Sequence, residues 1–278
     1  MTLVQAIVLG IVQGITEFLP VSSSGHLALT QFFLGVPEDR VFFLTVMLHI
    51  GTLFSVLVVY WTDLINILIA FFQMCADVVK GKGLGLEKEY HRLAFLIIVG
   101  TIPTGIMGLL LRDIFSNIYT SQRVIGIALI ITGTLLWTSE RSQKFMNNKK
   151  ELPEMTWKNA VAVGIFQGFA ITPGMSRSGA TISGALFQGI NKHTATRYSF
   201  LLSFPIIALA TMLEVIEAIE VGTGDIGLSM LMVGIITSFL AGVFAIRTLI
   251  RMIAQGKLYY FSFYTWALGS GSLILSFL

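Results

Sequence analysis

The chain holds a single cysteine, Cys75, in 278 residues. One thiol excludes a disulfide framework, a cysteine-based zinc site and an iron–sulfur cluster. Charge is equally scarce. Asp, Glu, Lys and Arg make up 12% of the residues, about half the share typical of a soluble domain. With 55% of residues apolar and a mean hydropathy of +0.82, the polar groups are too few to cover a water-soluble fold of this length. Intrinsic disorder is excluded on the same ground. A nucleic-acid partner is excluded because the net charge is only +3 and the basic residues sit in short loops rather than on one face. No Lys or Arg precedes Arg40, so the apolar N-terminus lacks the positive region of a signal peptide, and Glu17 interrupts its apolar run. Residues 1–34 are therefore expected to be part of the fold. What remains is an all-α integral membrane protein.

Six stretches have the length and apolarity of spanning helices: 41–61, 93–111, 124–138, 198–216, 228–246 and 259–277. Residues 62–79 are apolar but carry Asp63 and Asp77, and read as an interfacial extension. Two further apolar regions, 3–34 and 157–190, are each broken near the middle by Pro, Gly and serines. Each fits a re-entrant helix–loop–helix hairpin, whose broken tip is tolerable only inside protein or beside water. Fourteen of the 18 Lys and Arg fall in four alternate loops: 80–92, 141–158, 192–197 and 247–257. The intervening loops carry Glu38 and Asp39, Asp113, then Glu217, Glu220 and Asp225. The positive-inside rule places the basic loops in the cytoplasm. Both termini then face outward, the first hairpin enters from outside and the second from the cytoplasm.

Shifted by 154 residues, the sequence matches itself. Gly10, Ile11, Gln13, Gly14, Ser22, Ser24 and Gly25 meet Gly164, Ile165, Gln167, Gly168, Ser176, Ser178 and Gly179, seven identities in 16 positions. Chance would give about one or two, even in a biased composition. Repeat 1 covers about 1–139 and repeat 2 about 157–278, each one hairpin plus three spans. Three spans is an odd number, so the second unit is inverted. In such folds two broken-helix tips meet near the bilayer midplane and build a site there.

The first tip reads Gln13-Gly-Ile-Thr-Glu17-Phe-Leu-Pro20-Val-Ser22-Ser23-Ser24-Gly25-His26. The second reads Gln167-Gly-Phe-Ala-Ile-Thr172-Pro173-Gly174-Met-Ser176-Arg177-Ser178-Gly179-Ala-Thr181. An ionised group at membrane depth costs about 2.5–3.5 kcal/mol even on the lenient insertion scale, and marks function by default. Glu17 and Arg177 could simply neutralise each other, but that leaves the serines and His26 without a purpose. Each tip offers Ser-x-Ser-Gly before a second half-helix, where hydroxyls cap and free N–H groups favour an anion. Two such starts with an arginine fork form a phosphate cradle, with Gln13, Ser22, Ser24, Gly25, Gly174, Ser176, Ser178 and Thr181 as its expected lining. Under the repeat alignment Ser23 stands where the second tip has Arg177. Ser23, His26 and Glu17 supply a hydroxyl, a base and a carboxylate within ten residues, and His26 is the alternative nucleophile through a phosphohistidine. His49 either lines the same cavity or packs. His91 and His193 read as solvated loop residues, and Glu214 and Glu217 as interfacial. A transporter of a phosphorylated lipid is the competing class, since inverted repeats and broken helices are its hallmark, and a dual role stays open. A bare scaffold is disfavoured by the cost of Glu17 and Arg177.

At these two tips the sequence resembles the bacterial undecaprenyl-diphosphate phosphatases, the integral-membrane family tied to bacitracin resistance. Span pattern, length and repeat agree, so the resemblance covers essentially the whole chain. Gln13 departs from it, standing where many members carry Glu. The resemblance implies hydrolysis of undecaprenyl diphosphate to the monophosphate carrier of cell-wall synthesis, at a site opening to the outer face of the bacterial cell membrane. It also implies a divalent cation, Mg²⁺ or Ca²⁺, for which Glu17 is the expected ligand and the diphosphate the expected carrier. The implied partners are a long-chain prenyl diphosphate and the lipid bilayer, with pairing of two copies left open. In this reading Ser23 attacks the terminal phosphorus, Glu17 or His26 takes its proton, and Arg177 with the tip N–H groups holds the phosphoryl oxygens.

The basic-loop count yields a direct test of orientation. In a Cys75→Ser background, a cysteine introduced beside Lys149 should be shielded from an impermeant thiol reagent in intact cells, and one beside Gly222 should react. The opposite labelling would reverse the assignment.

Overall fold

The structure, a computed structural model, describes residues 2–36, 38–111, 114, 118, 121–221 and 227–277. Asp113, Gly222 and Asp225 lie outside the described residues, as do the side chains of Glu38, Asp39, Glu217 and Glu220. Eleven α-helices are described, in the order α1 (Leu3–Phe18), α2 (Ser23–Leu34), α3 (Glu38–Val59), α4 (Trp61–Val79), α5 (Glu89–Leu110), α6 (Gln122–Ser142), α7 (Trp157–Phe169), α8 (Arg177–Phe187), α9 (Lys192–Val221), α10 (Leu228–Ala254) and α11 (Tyr260–Leu275). Five of them, α4, α5, α6, α9 and α10, contain stretches long and apolar enough to cross a membrane. Four of these coincide with stretches read from the sequence. The expected spans 41–61 and 259–277 become α3 and α11, which over their described residues are shorter: Phe43–Val59 and the 16 residues of α11.

The remaining long apolar helix is α4, where the sequence suggested only an interfacial extension. It is a continuous 19-residue helix, with 11% of its apolar stretch buried inside the protein. The two carboxylates that argued against it are accommodated at its ends. Asp63 lies in the first turn and accepts from Arg197 of α9 at 2.6 and 3.1 Å, while Asp77 lies in the last turns. His91 is also not a solvated loop residue. It is 2% exposed, with its ring nitrogens 3.1 Å from the Leu84 carbonyl and 3.2 Å from Gln73 Oε1.

The two broken regions begin alike. Thr2 caps α1 in a reciprocal box with Gln5, and Thr156 caps α7 in the same box with Asn159. Each box gives the helix start a partner for N–H groups that no preceding turn can satisfy. The boxes are again 154 residues apart. α1 stops before Pro20, and α2 starts soon after it. α7 stops at Phe169, and a turn through Gly174 leads into α8, which Ser176 caps by accepting from the Gly179 N–H at 3.2 Å.

Packing follows small residues, as expected where lipid tails offer no hydrophobic drive and close backbone approach supplies the attraction. α1 lies along α10 with Gly10 against the Gly234 carbonyl and Gly14 against that of Ser238. α7 lies along α5 with Gly164 against the Gly100 carbonyl. α3 also lies on α10, where Ser55 donates to the Phe239 carbonyl at 2.9 Å and Ser238 to that of Leu48 at 2.8 Å. α6 pairs with α11 through Gly126, Gly133 and Gly269. The largest buried core, around Phe18, Leu96, Tyr198 and Phe200, joins α1, α5 and α9. Through Phe18 it seats the end of α1 against the rest of the bundle.

The α5–α7 contact offers a packing test. A Cβ at position 164 would run into the backbone of Gly100, whereas at Gly105 it meets nothing within 4 Å. Gly164→Ala should therefore lower stability by about 1–3 kcal/mol, read as a drop in the melting temperature of the detergent-solubilised protein. Gly105→Ala should not lower it, because alanine is the better helix former.

Candidate active site

The site grows out of the two chain breaks. In the first, Pro20 cannot continue α1, and Ser22 takes φ +72°, in the left-handed region that non-glycine residues rarely adopt. That turn starts α2 at Ser23 and directs the Ser23 hydroxyl back at α1. In the second, Gly174 has φ +87°, and a Cβ there would lie 2.6 Å from the backbone of Ile125. Only glycine fits a left-handed turn pressed against α6. The tips touch. The Gly174 N–H donates to Ser24 Oγ at 3.2 Å, and Gly179 lies where a Cβ would be 3.2 Å from Pro20.

Glu17 is the hub of the contact. One carboxylate oxygen pairs with Arg177 across the tips. The other accepts from Ser23 Oγ at 2.8 Å and from Gln13 Nε2 at 3.1 Å, with His49 Nε2 3.9 Å away. Glu17 is 7% exposed and Gln13 is fully buried. A buried charge needs such company, since its lost hydration is repaid only by a good counter-charge and saturated hydrogen bonds.

The tips open onto a cavity of about 250 Å³ lined by Glu17, Ser22, Ser23, Ser24, Ser176 and Arg177. His49 and Glu214 line it too, so His49 is a cavity residue. Glu214, read from the sequence as interfacial, also faces the site. Five of the expected lining residues sit behind the cavity wall instead. Gln13 lies beneath Glu17. Gly25 lies in the first turn of α2, and Gly174 makes the left-handed turn before α8. Ser178 bonds Ser176 at 3.2 Å, and Thr181 bonds Ser199 of α9 at 2.6 Å, so both brace α8. His26 does not line the cavity either. Its ring nitrogens engage the Ser22 carbonyl at 2.7 Å and the Tyr264 hydroxyl at 2.6 Å. Of the two candidate bases for Ser23, Glu17 is therefore the one within hydrogen-bond reach.

Thr104, Gln167 and Tyr264 are not among the site residues expected from the sequence. The first two are neighbours in the cavity wall: Gln167 Nε2 donates to Thr104 Oγ1 at 3.1 Å, and Thr104 donates to the Gly164 carbonyl at 2.9 Å. Gln167 is visible as the repeat partner of Gln13, and Thr104 follows the helix-interior Pro103. Nothing in the sequence points to Tyr264.

The donor set admits a hard cation in one way. Among the described residues no three His, Cys, Asp or Glu side chains group as a metal site, so these residues alone make no cage. Glu17 nonetheless lies beside Gln13, whose buried Oε1 has no hydrogen-bond partner. An unpartnered amide oxygen next to a carboxylate suits Mg²⁺ or Ca²⁺, provided other oxygens complete the shell.

Fold and site together define an integral-membrane protein of the multi-pass, all-α class, with a small open chamber at the meeting of its two broken-helix tips. Within that class the chain belongs to the family described as bacitracin resistance protein BacA, whose family model matches residues 6–271. It is 57% identical to the undecaprenyl-diphosphatase of Alkaliphilus metalliredigens over 278 residues, covering all of both chains. It is 43% identical over 276 residues to the undecaprenyl-diphosphatase of Halothermothrix orenii, covering 99% of each. The undecaprenyl-diphosphatase of Methanosphaera stadtmanae is 41% identical over 279 residues, with 99% of this chain and 98% of the relative covered.

The Glu17–Arg177 pair separates two roles for the arginine. A lysine keeps the charge but loses the planar fork. If Arg177 only balances Glu17, Arg177→Lys should be nearly silent. If it clamps a phosphoryl group, kcat should fall by about 10²-fold or more, the scale of one lost preorganised donor, with the melting temperature little changed. We expect the second outcome, with kcat and Tm measured on one preparation.

Proposed function

We propose that this chain hydrolyses undecaprenyl diphosphate to undecaprenyl phosphate and inorganic phosphate. The activity follows the undecaprenyl-diphosphatases that it matches over their whole length, such as that of Alkaliphilus metalliredigens, and bacitracin resistance follows as a consequence of carrier recycling. The observation that carries the mechanism is the 2.8 Å hydrogen bond from Ser23 Oγ to a carboxylate already paired with an arginine of the opposite tip.

In our reading Ser23 Oγ attacks the terminal phosphorus. Its proton passes to Glu17 Oε2, the new O–P bond forms, and the bond from phosphorus to the bridging oxygen breaks. Undecaprenyl phosphate departs, and water then hydrolyses the phosphoserine, with Glu17 returning the proton to Ser23. Arg177 moves from balancing Glu17 to holding equatorial phosphoryl oxygens as charge builds there. Ser22, Ser24 and Ser176, on the cavity wall, present hydroxyls to the same group, and His49 stands beside the Glu17 oxygen that does not pair with Arg177. His26 acts behind the wall. A divalent cation, when bound with the diphosphate, would be held by Glu17 and Gln13 and would offset the charge of the diphosphate. Gln13 in place of a second carboxylate makes the chain's own hold on it weaker.

Two features support the inverted repeat as the source of this geometry. The capping boxes and broken tips fall 154 residues apart. The first helix of each unit also packs on a long helix of the other unit: α1 on α10, and α7 on α5. The tips then approach from opposite sides, as an inverted pair of re-entrant hairpins requires.

The interfacial reading of 62–79 also has support. Asp63 and Gln73 are about 15 Å apart along α4, yet they bond Tyr90 and His91, adjacent residues in the first turn of α5. A helix whose two halves meet one end of its neighbour lies across that end. With α4 along the interface, the basic loops share one side, taken as cytoplasmic, both termini lie outside, and the chamber opens outward.

The test of the nucleophile is direct. Purified Ser23→Ala should lose turnover of a long-chain prenyl diphosphate in detergent, by about 10³-fold or more, while still binding substrate and melting near the parent temperature. Rapid quenching of the parent enzyme should trap phosphate on Ser23. Substantial turnover by Ser23→Ala would sink this mechanism, and phosphate trapped on His26 would name the other nucleophile.

A further inference from the structure

Tyr264 sits on α11, outside both tips, and is 48% exposed. Its ring stacks on the imidazole of His26, centroids 5.6 Å apart and planes 15° from parallel. The hydroxyl lies 2.6 Å from Nε2. The other ring nitrogen, Nδ1, lies 2.7 Å from the Ser22 carbonyl oxygen. A carbonyl can only accept, so Nδ1 carries the proton. Nε2 is then bare and accepts from the Tyr264 O–H. Both nitrogens are occupied, and neither is turned to the chamber.

The carbonyl held in this way belongs to Ser22, the one non-glycine with positive φ among the described residues. Such a conformation persists only where the surroundings over-determine it. Two restraints are visible. Ser22 Oγ bonds Ser24 Oγ at 3.2 Å, and Ser24 in turn accepts from Gly174 of the other tip at 3.2 Å. The second restraint is the His26 N–H on the Ser22 carbonyl. Ser23 is the next residue, and the direction of its hydroxyl depends on this turn. The Tyr264–His26 bond lies at the exposed side of α11, apart from the residues that line the chamber.

We propose that Tyr264 is a positioning residue for the phosphoryl transfer: its O–H fixes the His26 tautomer and ring, His26 holds the Ser22 carbonyl, and the left-handed turn at Ser22 aims the Ser23 hydroxyl. The proposal rests on Ser23 as nucleophile. It makes His26 a clamp on the turn rather than a proton carrier. A hydroxyl misaimed by a fraction of an ångström reacts more slowly without weakening the hold of Arg177 on phosphate, so the effect belongs to kcat.

The test uses the purified full-length enzyme in detergent with a long-chain prenyl diphosphate. Tyr264→Phe keeps the stacked ring and removes only the O–H. It should lower kcat by about tenfold, leave KM within about twofold, and leave the melting temperature unchanged. His26→Ala should lower kcat further, and adding Tyr264→Phe to it should cost nothing more, since both residues act through one contact. His26→Asn, which retains an N–H for the Ser22 carbonyl but cannot carry a proton at neutral pH, should recover part of the kcat lost in His26→Ala. Parent-level kcat in Tyr264→Phe, losses that multiply in the double variant, or His26→Asn as inactive as His26→Ala would each overturn the proposal. So would a kcat loss accompanied by a collapsed melting temperature, which would make Tyr264 a packing residue. Failure of the Ser23 reading registers separately, as turnover by Ser23→Ala.

Discussion

The ion pair between Glu17 and Arg177 is the constraint around which the molecule is arranged. Glu17, 7% exposed, could not keep its charge alone, because a single buried ion has neither water nor a partner to replace its hydration. Together they bind the tip of one broken helix to the tip of another across 160 residues of chain. Losing one partner of such a pair typically costs about 3–5 kcal/mol, chiefly because the other charge is stranded. The pair thus holds the two tips together.

The small residues elsewhere serve that meeting. Gly10 and Gly14 let α1 approach the backbone of α10, and Gly164 lets α7 approach that of α5. Each tip is thereby seated against a long helix of the other half of the chain. The hydroxyls behind the wall do related work. Thr181 with Ser199 and Thr132 with the Ser176 N–H tie α8 to α9 and α6. They give α8 polar anchors inside an apolar bundle, where unpaired hydroxyls would be costly.

Much of the site is legible from residues alone because polar groups are so scarce in this chain. Against an apolar background Glu17, Arg177 and the two serine clusters stand out, and the 154-residue shift aligns the two tips that carry them. What misleads is the local sign of a residue. Asp63 and Asp77 keep 62–79 from reading as one of the long apolar helices, yet α4 is one, and Arg197, 134 residues away, pairs with Asp63. His91 sits among lysines in sequence yet packs between Leu84 and Gln73. Glu214 looks interfacial from its place along α9, and only the crossing of α9 past the tips makes it part of the chamber.

The sequence by itself determined the class of fold, the number of broken regions, and the charge pair and hydroxyls at their tips. Hydropathy, Pro and Gly positions and internal identity are properties of the chain and need no third dimension. Tertiary structure alone decided how the polar groups divide between chamber and wall. Sequence adjacency makes Ser23 and His26 look like partners, but the left-handed turn at Ser22 sends one hydroxyl to Glu17 while α2 carries the imidazole round to Tyr264. A helix turns about 100° per residue. Residues three apart therefore lie only about 60° apart around a helix, and the split between Ser23 and His26 comes from the helices packed around them: α1 offers Glu17 to the hydroxyl and α11 offers Tyr264 to the imidazole.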